Sequence, residues 1–225
     1  MKNKIIFSSI AMSMIMTCAR GAQVSGRIVV TGRGDRSPAV TFVYAEPLGG
    51  QAAVRPGHYK LAQQNKSFQP RALAVPAGST VDFPNLDPIF HNVFSLSKPG
   101  PFDLGLYRAG ASKSRVFNEP TVYRVFCNIH PQMTAIIAVL PTSFIAEAGA
   151  AGGYRLELPA GRYRLTAWSE RSQPASAEIT VSEAAFSAPD LTLDESKFVE
   201  LPHKNKFGQE YPKSAYDPLK DSRPQ

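Results

Sequence analysis

The segment 127–133, CNIHPQM, concentrates three side chains that can bind a metal ion. Cys127 offers a thiolate, His130 an imidazole nitrogen and Met133 a thioether, and each lies three residues from the next. Thiolate and thioether are soft ligands, and imidazole suits copper. Because this spacing lets one tight loop wrap a single ion, the segment predicts a copper-binding loop.

A mononuclear blue-copper site uses two histidines, one cysteine and a weak axial ligand that is often methionine. The chain offers three further histidines, His58, His91 and His203. His58 falls in the turn-like sequence RPGHYK and His203 in a polar C-terminal stretch, so both are interpreted as surface residues. His91 opens the apolar segment HNVFSLS and is the best candidate. The predicted metal ligands are therefore His91, Cys127, His130 and Met133.

Two other kinds of site are compatible with these residues. Structural zinc prefers closed sets of cysteine and histidine, and the lack of a second cysteine disfavours it. A cysteine nucleophile would use Cys127 with His91 or His130 as its base, but it leaves Met133 and Asn92 without a role. We therefore predict no enzymatic activity and one copper ion that cycles between Cu(II) and Cu(I).

The N-terminus predicts a signal peptide over residues 1–22. The lysines of MKNK are followed by the apolar run IIFSSIAMSMIM, and small residues permit cleavage after Ala19 or Gly21. Cys18 offers a lipid-anchoring alternative, which Thr17 before it disfavours. No later apolar run is long enough for a membrane helix. The expected protein is exported, to the periplasm or the extracellular space.

Export makes the cysteine count informative. The chain has 2 cysteines, and Cys18 belongs to the predicted signal peptide. Cys127 is then the one thiol of the folded part and has no intramolecular disulfide partner. Since a lone free thiol is a liability in an oxidising compartment, we expect Cys127 to be buried or bound to metal.

The net charge argues against a nucleic-acid partner. The formal charge of +7 falls to +4 when Lys2, Lys4 and Arg20 are removed with the signal peptide. The remaining basic residues are scattered, without the aromatic-interleaved basic stripe that is typical of nucleic-acid binding. Such a charge favours docking with an acidic protein partner or simply keeps the protein soluble. The sequence does not determine the oligomeric state.

Short alternating segments predict an all-β fold. TVYRVFC places Tyr123, Val125 and Cys127 on one face, and MTAIIAVL does the same for Met133, Ala135, Ile137 and Val139. In AVTFVYAEP the aligned residues are Val40, Phe42 and Tyr44. A period of two with β-branched residues, bounded by Gly, Pro, Asn and Asp, is typical of strands. Several such strands favour a sandwich or barrel.

A second β unit is predicted over residues 141–195. GGYRLELPAGRYRLTAW reads as two strands joined by a turn, and ASAEITVS adds another strand. Three or four strands make a thin half-sandwich. We therefore predict that residues 24–50 pair with residues 141–193; the rival is that they join the first sheet. Residues 196–225 form a polar tail that is either disordered or wraps the surface.

The sequences GSTVDFPNLDPIFHNVFSL and YRVFCNIHPQMTAIIAV together resemble a cupredoxin over residues 59–140. The pattern Cys-x-x-His-Pro-x-Met resembles the ligand loop of amicyanin, and Tyr123 also fits. The resemblance implies a Greek-key sandwich in which Asn92 hydrogen-bonds across to the ligand loop. The whole chain resembles exported plastocyanin-like proteins in which a module similar to the carboxypeptidase regulatory-like β-sandwich follows, here at 141–195, with residues 23–58 as N-terminal strands.

The expected function is single-electron transfer between redox partner proteins. His130 should be the ligand nearest solvent, with an apolar rim for transient docking formed by Pro88, Ile89, Phe102, Ile129 and Pro131. One alternative is a copper carrier that delivers the ion. Another is a binding module, in which Trp168 and arginines of the second β unit contact peptide or sugar and copper is ancillary.

Overall fold

The computed structural model describes residues 21–50, 54–200 and 202–211. These residues form β-strands, turns and irregular segments, and none of them lies in an α-helix. The all-β prediction is therefore confirmed. Within the described part, the chain has no helix with the length and apolar character that crossing a membrane requires.

The strands are short and follow one another closely along the chain. They are β1 (Ala22–Thr31), β2 (Thr41–Pro47), β3 (His58–Lys60), β4 (Ala62–Gln64), β5 (Ser67–Gln69), β6 (Ala72–Pro76), β7 (Ser79–Pro84), β8 (His91–Ser95), β9 (Phe102–Tyr107), β10 (Ser112–Phe117), β11 (Val122–Phe126), β12 (Thr134–Leu140), β13 (Ile145–Glu147), β14 (Gly153–Leu158), β15 (Gly161–Ser169), β16 (Ala175–Val181), β17 (Phe186–Ser187) and β18 (Leu191–Asp194).

The middle of the chain forms the first sandwich. One sheet has the order β6-β12-β11-β8-β9, and the other has the order β10-β7-β3. Strand β6 runs parallel to β12 and β3 runs parallel to β7, whereas β11 is antiparallel to both β8 and β12. Sheet neighbours that are not consecutive in sequence require crossovers between the two sheets, as in the predicted Greek-key sandwich.

Alternation along β11 and β12 selects the side chains that enter the core of this sandwich. Tyr123 and Val125 lie in the core with Ala135 and Ile137, as predicted, and β11 pairs with β12 in the register Tyr123↔Ile137. Cys127 and Met133, the first and last residues of the connecting loop, belong to the same buried cluster. The loop therefore begins and ends on the apolar side of the sheet.

The two ends of the described chain complete a second sandwich. Strand β1 pairs with β14, β17 and β18, and β2 lies between β13 and β15 in a sheet that ends at β16. The ladders Val24↔Leu156 and Ala45↔Leu165 join segments more than a hundred residues apart. Residues 24–50 thus pair with residues 141–193 and not with the first sandwich.

Strand β2 is covered on both faces. Val43 and Ala45 enter the core of the second sandwich, while Phe42 packs with Ala72 and Ile136 of the first sandwich in a separate small cluster. The alternation placed Val40, Phe42 and Tyr44 on one face, and at this junction between two sandwiches the strand also buries side chains of its other face. This junction connects β2 to β12, the strand that follows the segment 127–133.

Most of the predicted signal peptide lies outside the described residues. Its last residue, Ala22, is instead the first residue of β1, where it is buried and pairs with Leu158. Both predicted cleavage positions, after Ala19 and after Gly21, precede this strand.

Candidate metal centre

Two strand ends and one loop bring the candidate ligands together. His91 is the first residue of β8, which pairs with β11 at Phe94↔Phe126. Residues 127–133 then connect β11 to β12. The loop is closed by hydrogen bonds from the Cys127 N–H to the Met133 carbonyl (3.2 Å) and from the Met133 N–H to the His130 carbonyl (3.0 Å).

Three donor atoms face a common point. His91 Nδ1 lies 3.1 Å from His130 Nδ1, and the Cys127 Sγ lies 4.0 Å from the first nitrogen and 3.6 Å from the second. These residues form a group whose ligand atoms all lie within 4.8 Å of one another. Each imidazole directs its Nδ1 atom inward, so that a soft anion and two nitrogen donors could bind one ion.

Burial distinguishes His130 from the other three residues. His91, Cys127 and Met133 have no solvent exposure, whereas His130 is partly exposed. Met133 is joined to Cys127 and His130 by the two backbone hydrogen bonds of the loop and belongs to the core cluster that contains Cys127. The expectation that His130 is the residue of the set nearest solvent is confirmed.

Asp87 determines which nitrogen of His91 faces the site. Its Oδ2 atom lies 2.8 Å from His91 Nε2, with the carboxylate and the ring both buried. A carboxylate only accepts hydrogen bonds, so that Nε2 of the neutral ring carries the hydrogen and Nδ1 presents its lone pair. A carboxylate behind a histidine ligand is a recurrent arrangement that fixes ring orientation and raises ligand basicity.

The turn between β4 and β5 holds Asp87 in place. Asn65 and Lys66, which have φ values of 54° and 51°, donate backbone hydrogen bonds of 2.6 and 2.9 Å to the two carboxylate oxygens. Burial acts to raise the pKa of Asp87, but the hydrogen bonds from Lys66, His91 and Asn65 together lower it below its usual value. The carboxylate is therefore stabilised in its charged form. No sequence pattern weighed above identified Asp87.

The thiol of Cys127 is buried, and burial raises its pKa. Backbone amides of Asn92, Ile129 and His130 point at the sulfur and partly offset that effect. The side chain of Asn92 also accepts a hydrogen bond of 3.3 Å from the Asn128 N–H, which joins β8 to the ligand loop. Asn92 thus makes the cross-connection that the resemblance implied.

The surroundings of the site differ from the prediction at two residues. Phe102, expected in the apolar rim, is buried in the core of the first sandwich, whereas Ile129 is 41% exposed. His203, interpreted as a surface residue, is only partly exposed and stacks on Phe126 at a centroid distance of 4.2 Å. His58 is exposed, as predicted. The polar sequence around His203 did not indicate that this residue contacts the loop 127–133.

Several solved structures resemble part of this chain. The copper-containing nitrite reductase from Thermus scotoductus SA-01 is 29% identical, with 42% of this chain and 25% of the reductase covered and a TM-score of 0.36. This chain therefore spans about a quarter of that enzyme. A purple cupredoxin from Nitrosopumilus maritimus is 25% identical, with 36% of this chain and 98% of the cupredoxin covered and a TM-score of 0.33.

An amicyanin mutant in its Cu(I) form is 20% identical, with 43% of this chain and 98% of amicyanin covered and a TM-score of 0.35. No protein-family model matches the sequence, and no curated protein is significantly similar to it. Each structural likeness covers less than half of this chain. The function proposed below therefore rests on the atoms of the site itself.

Proposed function

We propose that this chain is an exported type 1 copper protein that carries single electrons between redox partner proteins. The observation that carries this proposal is the convergence of one buried thiol and two inward Nδ1 atoms beside a buried methionine. This donor set matches the two-histidine, one-cysteine set with an axial methionine that blue-copper sites use. Copper bound there would supply one-electron chemistry between Cu(II) and Cu(I).

The protein's own residues hold the proposed donors on a rigid frame. His91 is fixed from behind by Asp87, Asn92 connects its strand to the loop, and Cys127 and Met133 are buried in the core. Little has to move when such a site changes charge. The frame also excludes water from three of the four side chains, which leaves the partly exposed His130 as the route toward a partner.

Burial argues against the cysteine-nucleophile alternative. A catalytic thiolate needs an accessible sulfur with a lowered pKa, whereas the Cys127 sulfur is enclosed and its pKa is raised. The binding-module alternative loses part of its basis because Trp168 stacks on Phe42 at the junction between the sandwiches, with ring centroids 6.3 Å apart. We propose a non-enzymatic role and partner docking around His130.

Electron transfer and copper delivery are distinguished by two rates. We expect the copper-loaded protein to show fast electron self-exchange and slow loss of Cu(I) to a competing chelator near neutral pH, because its donors lie on braced elements. Both rates are measured on the same purified preparation. Slow self-exchange together with rapid copper loss would establish delivery as the better function, and a protein without intense visible absorption would remove the type 1 assignment.

The substitution Asp87→Asn tests the anionic partner of His91. An amide can still accept the Nε2 hydrogen, but it has no negative charge with which to favour Cu(II). A hydrogen bond to a charged group contributes about 1 kcal/mol more stabilisation than a hydrogen bond between neutral groups. If this difference favours Cu(II), its loss should raise the reduction potential by roughly 40 mV. Voltammetry of the copper-loaded variant measures this shift.

The matched control is Asp82→Asn, which removes a carboxylate of the same sandwich. The Asp82 carboxylate accepts a hydrogen bond from the Ser114 hydroxyl and not from a candidate ligand. Its reduction potential should stay closer to that of the unmodified protein. Equal shifts in the two variants would show that Asp87 acts through net charge alone and not through His91.

A further inference from the structure

The C-terminal segment 202–211 lies across the outer side of the ligand loop. The His203 Nε2–H donates to the Pro131 carbonyl (2.6 Å), the Lys206 N–H donates to Asn128 Oδ1 (3.0 Å) and the Tyr211 hydroxyl donates to the Cys127 carbonyl (3.0 Å). His203, Lys206 and Tyr211 are called the tail clamp below. Their partners all belong to the seven-residue loop that carries three of the proposed ligands.

The hydrogen bonds of the tail clamp use different carbonyl groups from the hydrogen bonds within the loop. The internal bonds use the carbonyls of His130 and Met133. The clamp uses the carbonyls of Cys127 and Pro131, one at the start of the loop and one directly after His130. A loop fixed at both positions cannot swing His130 outward without breaking a hydrogen bond to the tail.

The side chain of Lys206 extends the clamp to the other ligand-bearing strand. Its Nζ atom lies 2.7 Å from Asp103 Oδ2, and Asp103 Oδ1 accepts a hydrogen bond of 2.7 Å from Asn92 Nδ2. Asn92 in turn accepts the Asn128 N–H. The chain of contacts from Lys206 through Asp103 and Asn92 to Asn128 therefore returns to the loop and connects it with the strand of His91.

Aromatic packing seats the clamp on β11. His203 stacks on Phe126 with an interplanar angle of 21°, and Tyr211 packs edge-on against His203 with centroids 5.2 Å apart. This packing on β11 thus seats the segment whose three hydrogen bonds reach the loop.

We propose that His203, Lys206 and Tyr211 are positioning residues of the metal centre, which hold the ligand loop closed and slow the exchange of its ion. This inference rests on the proposed copper function for its effect on the ion, but the closure of the loop does not depend on the metal. A segment that merely covered surface would leave the opening rate of the loop and the release of the ion unchanged.

The test uses the full chain and the substitutions Tyr211→Phe and His203→Phe. Each keeps an aromatic ring on β11 and removes one hydrogen bond to a loop carbonyl. The matched controls are Tyr163→Phe, which removes a hydroxyl bond of 3.0 Å to the Pro159 carbonyl in the second sandwich, and His58→Phe at an exposed position.

The first measurement is amide hydrogen exchange of residues 127–133 in the metal-free protein. Each clamp substitution should speed exchange of the Cys127 and Met133 amides about fivefold, the change that loss of one typical hydrogen bond produces in an opening equilibrium. The controls should leave these amides unchanged. Exchange at the loop equal to that of the unmodified protein in both clamp variants would overturn the inference.

The second measurement is the visible spectrum and the loss of Cu(I) to a competing chelator. The clamp variants should keep the intense absorption, with altered relative band intensities, and should release copper about fivefold faster than the controls. Unchanged band intensities and release rates would overturn the inference while leaving the copper function intact. Absent colour in the unmodified protein, with faster loop exchange in the clamp variants, would overturn the copper function and support the clamp.

Discussion

Replacing Cys127 with serine should abolish the intense visible absorption of the copper-loaded protein while the fold is retained. The absorption of a type 1 site arises from charge transfer between a soft thiolate and Cu(II), and a hydroxyl oxygen cannot provide that transition. Serine fits the buried position, and the amides of Asn92, Ile129 and His130 that point at the sulfur remain available to its oxygen. We expect a loss of stability of only about 1 kcal/mol.

Absorption and circular dichroism spectra of the same samples measure the two parts of this prediction. The exposed His58 provides the control, since His58→Ala should keep both the colour and the fold. Persistence of the full visible absorption in the Cys127→Ser protein would show that Cys127 is not bonded to the metal.

Replacing Gly152 with alanine should destabilise the second sandwich by about 3 kcal/mol or more. Gly152 has a φ of 80°, and a Cβ atom there would lie 2.2 Å from the carbonyl oxygen of Ile28. The Gly152 carbonyl also accepts a hydrogen bond of 2.8 Å from the Ile28 N–H. A side chain would therefore force β1 away from the segment that precedes β14, in addition to the cost of about 1–2 kcal/mol for a left-handed residue.

Gly34→Ala separates these two effects. Gly34 also has a positive φ, of 60°, but a Cβ atom there meets nothing within 4 Å. The Gly34→Ala protein should therefore be destabilised only by the cost of a left-handed alanine. Urea denaturation measures the free energy of unfolding of both variants. Equal destabilisation of the two variants would contradict the close approach of Gly152 to β1. The folded Gly152→Ala protein should keep its copper absorption, because the proposed ligands lie in the first sandwich.

Local spacing was sufficient to predict that several donor side chains share one loop. Cys127, His130 and Met133 occur within seven residues, so their proximity follows from chain connectivity. Alternation then predicted that Tyr123 and Val125 share a face with Cys127, and the core contains all three. His91 required an inference across 36 residues, which succeeded because few histidines are present and only one begins an apolar strand.

Other features depend on groups that are distant in sequence. Two rival pairings were open for residues 24–50, because an alternating strand carries no information about which edge it joins. Strand β2 showed the same ambiguity in its faces, since both Val43 and Phe42 are buried, each against a different sandwich. These choices are made by long-range packing and not by local propensity.

The sequence by itself determined an all-β chain with soft and imidazole donors at one loop, because side-chain period and donor chemistry are local properties. Only the tertiary structure decided that Asp87 supports His91 and that His203 and Tyr211 reach the loop. A single carboxylate in a turn and polar residues in a tail have no periodic signal, and their roles arise only where the folded backbone brings them within hydrogen-bonding distance of the site.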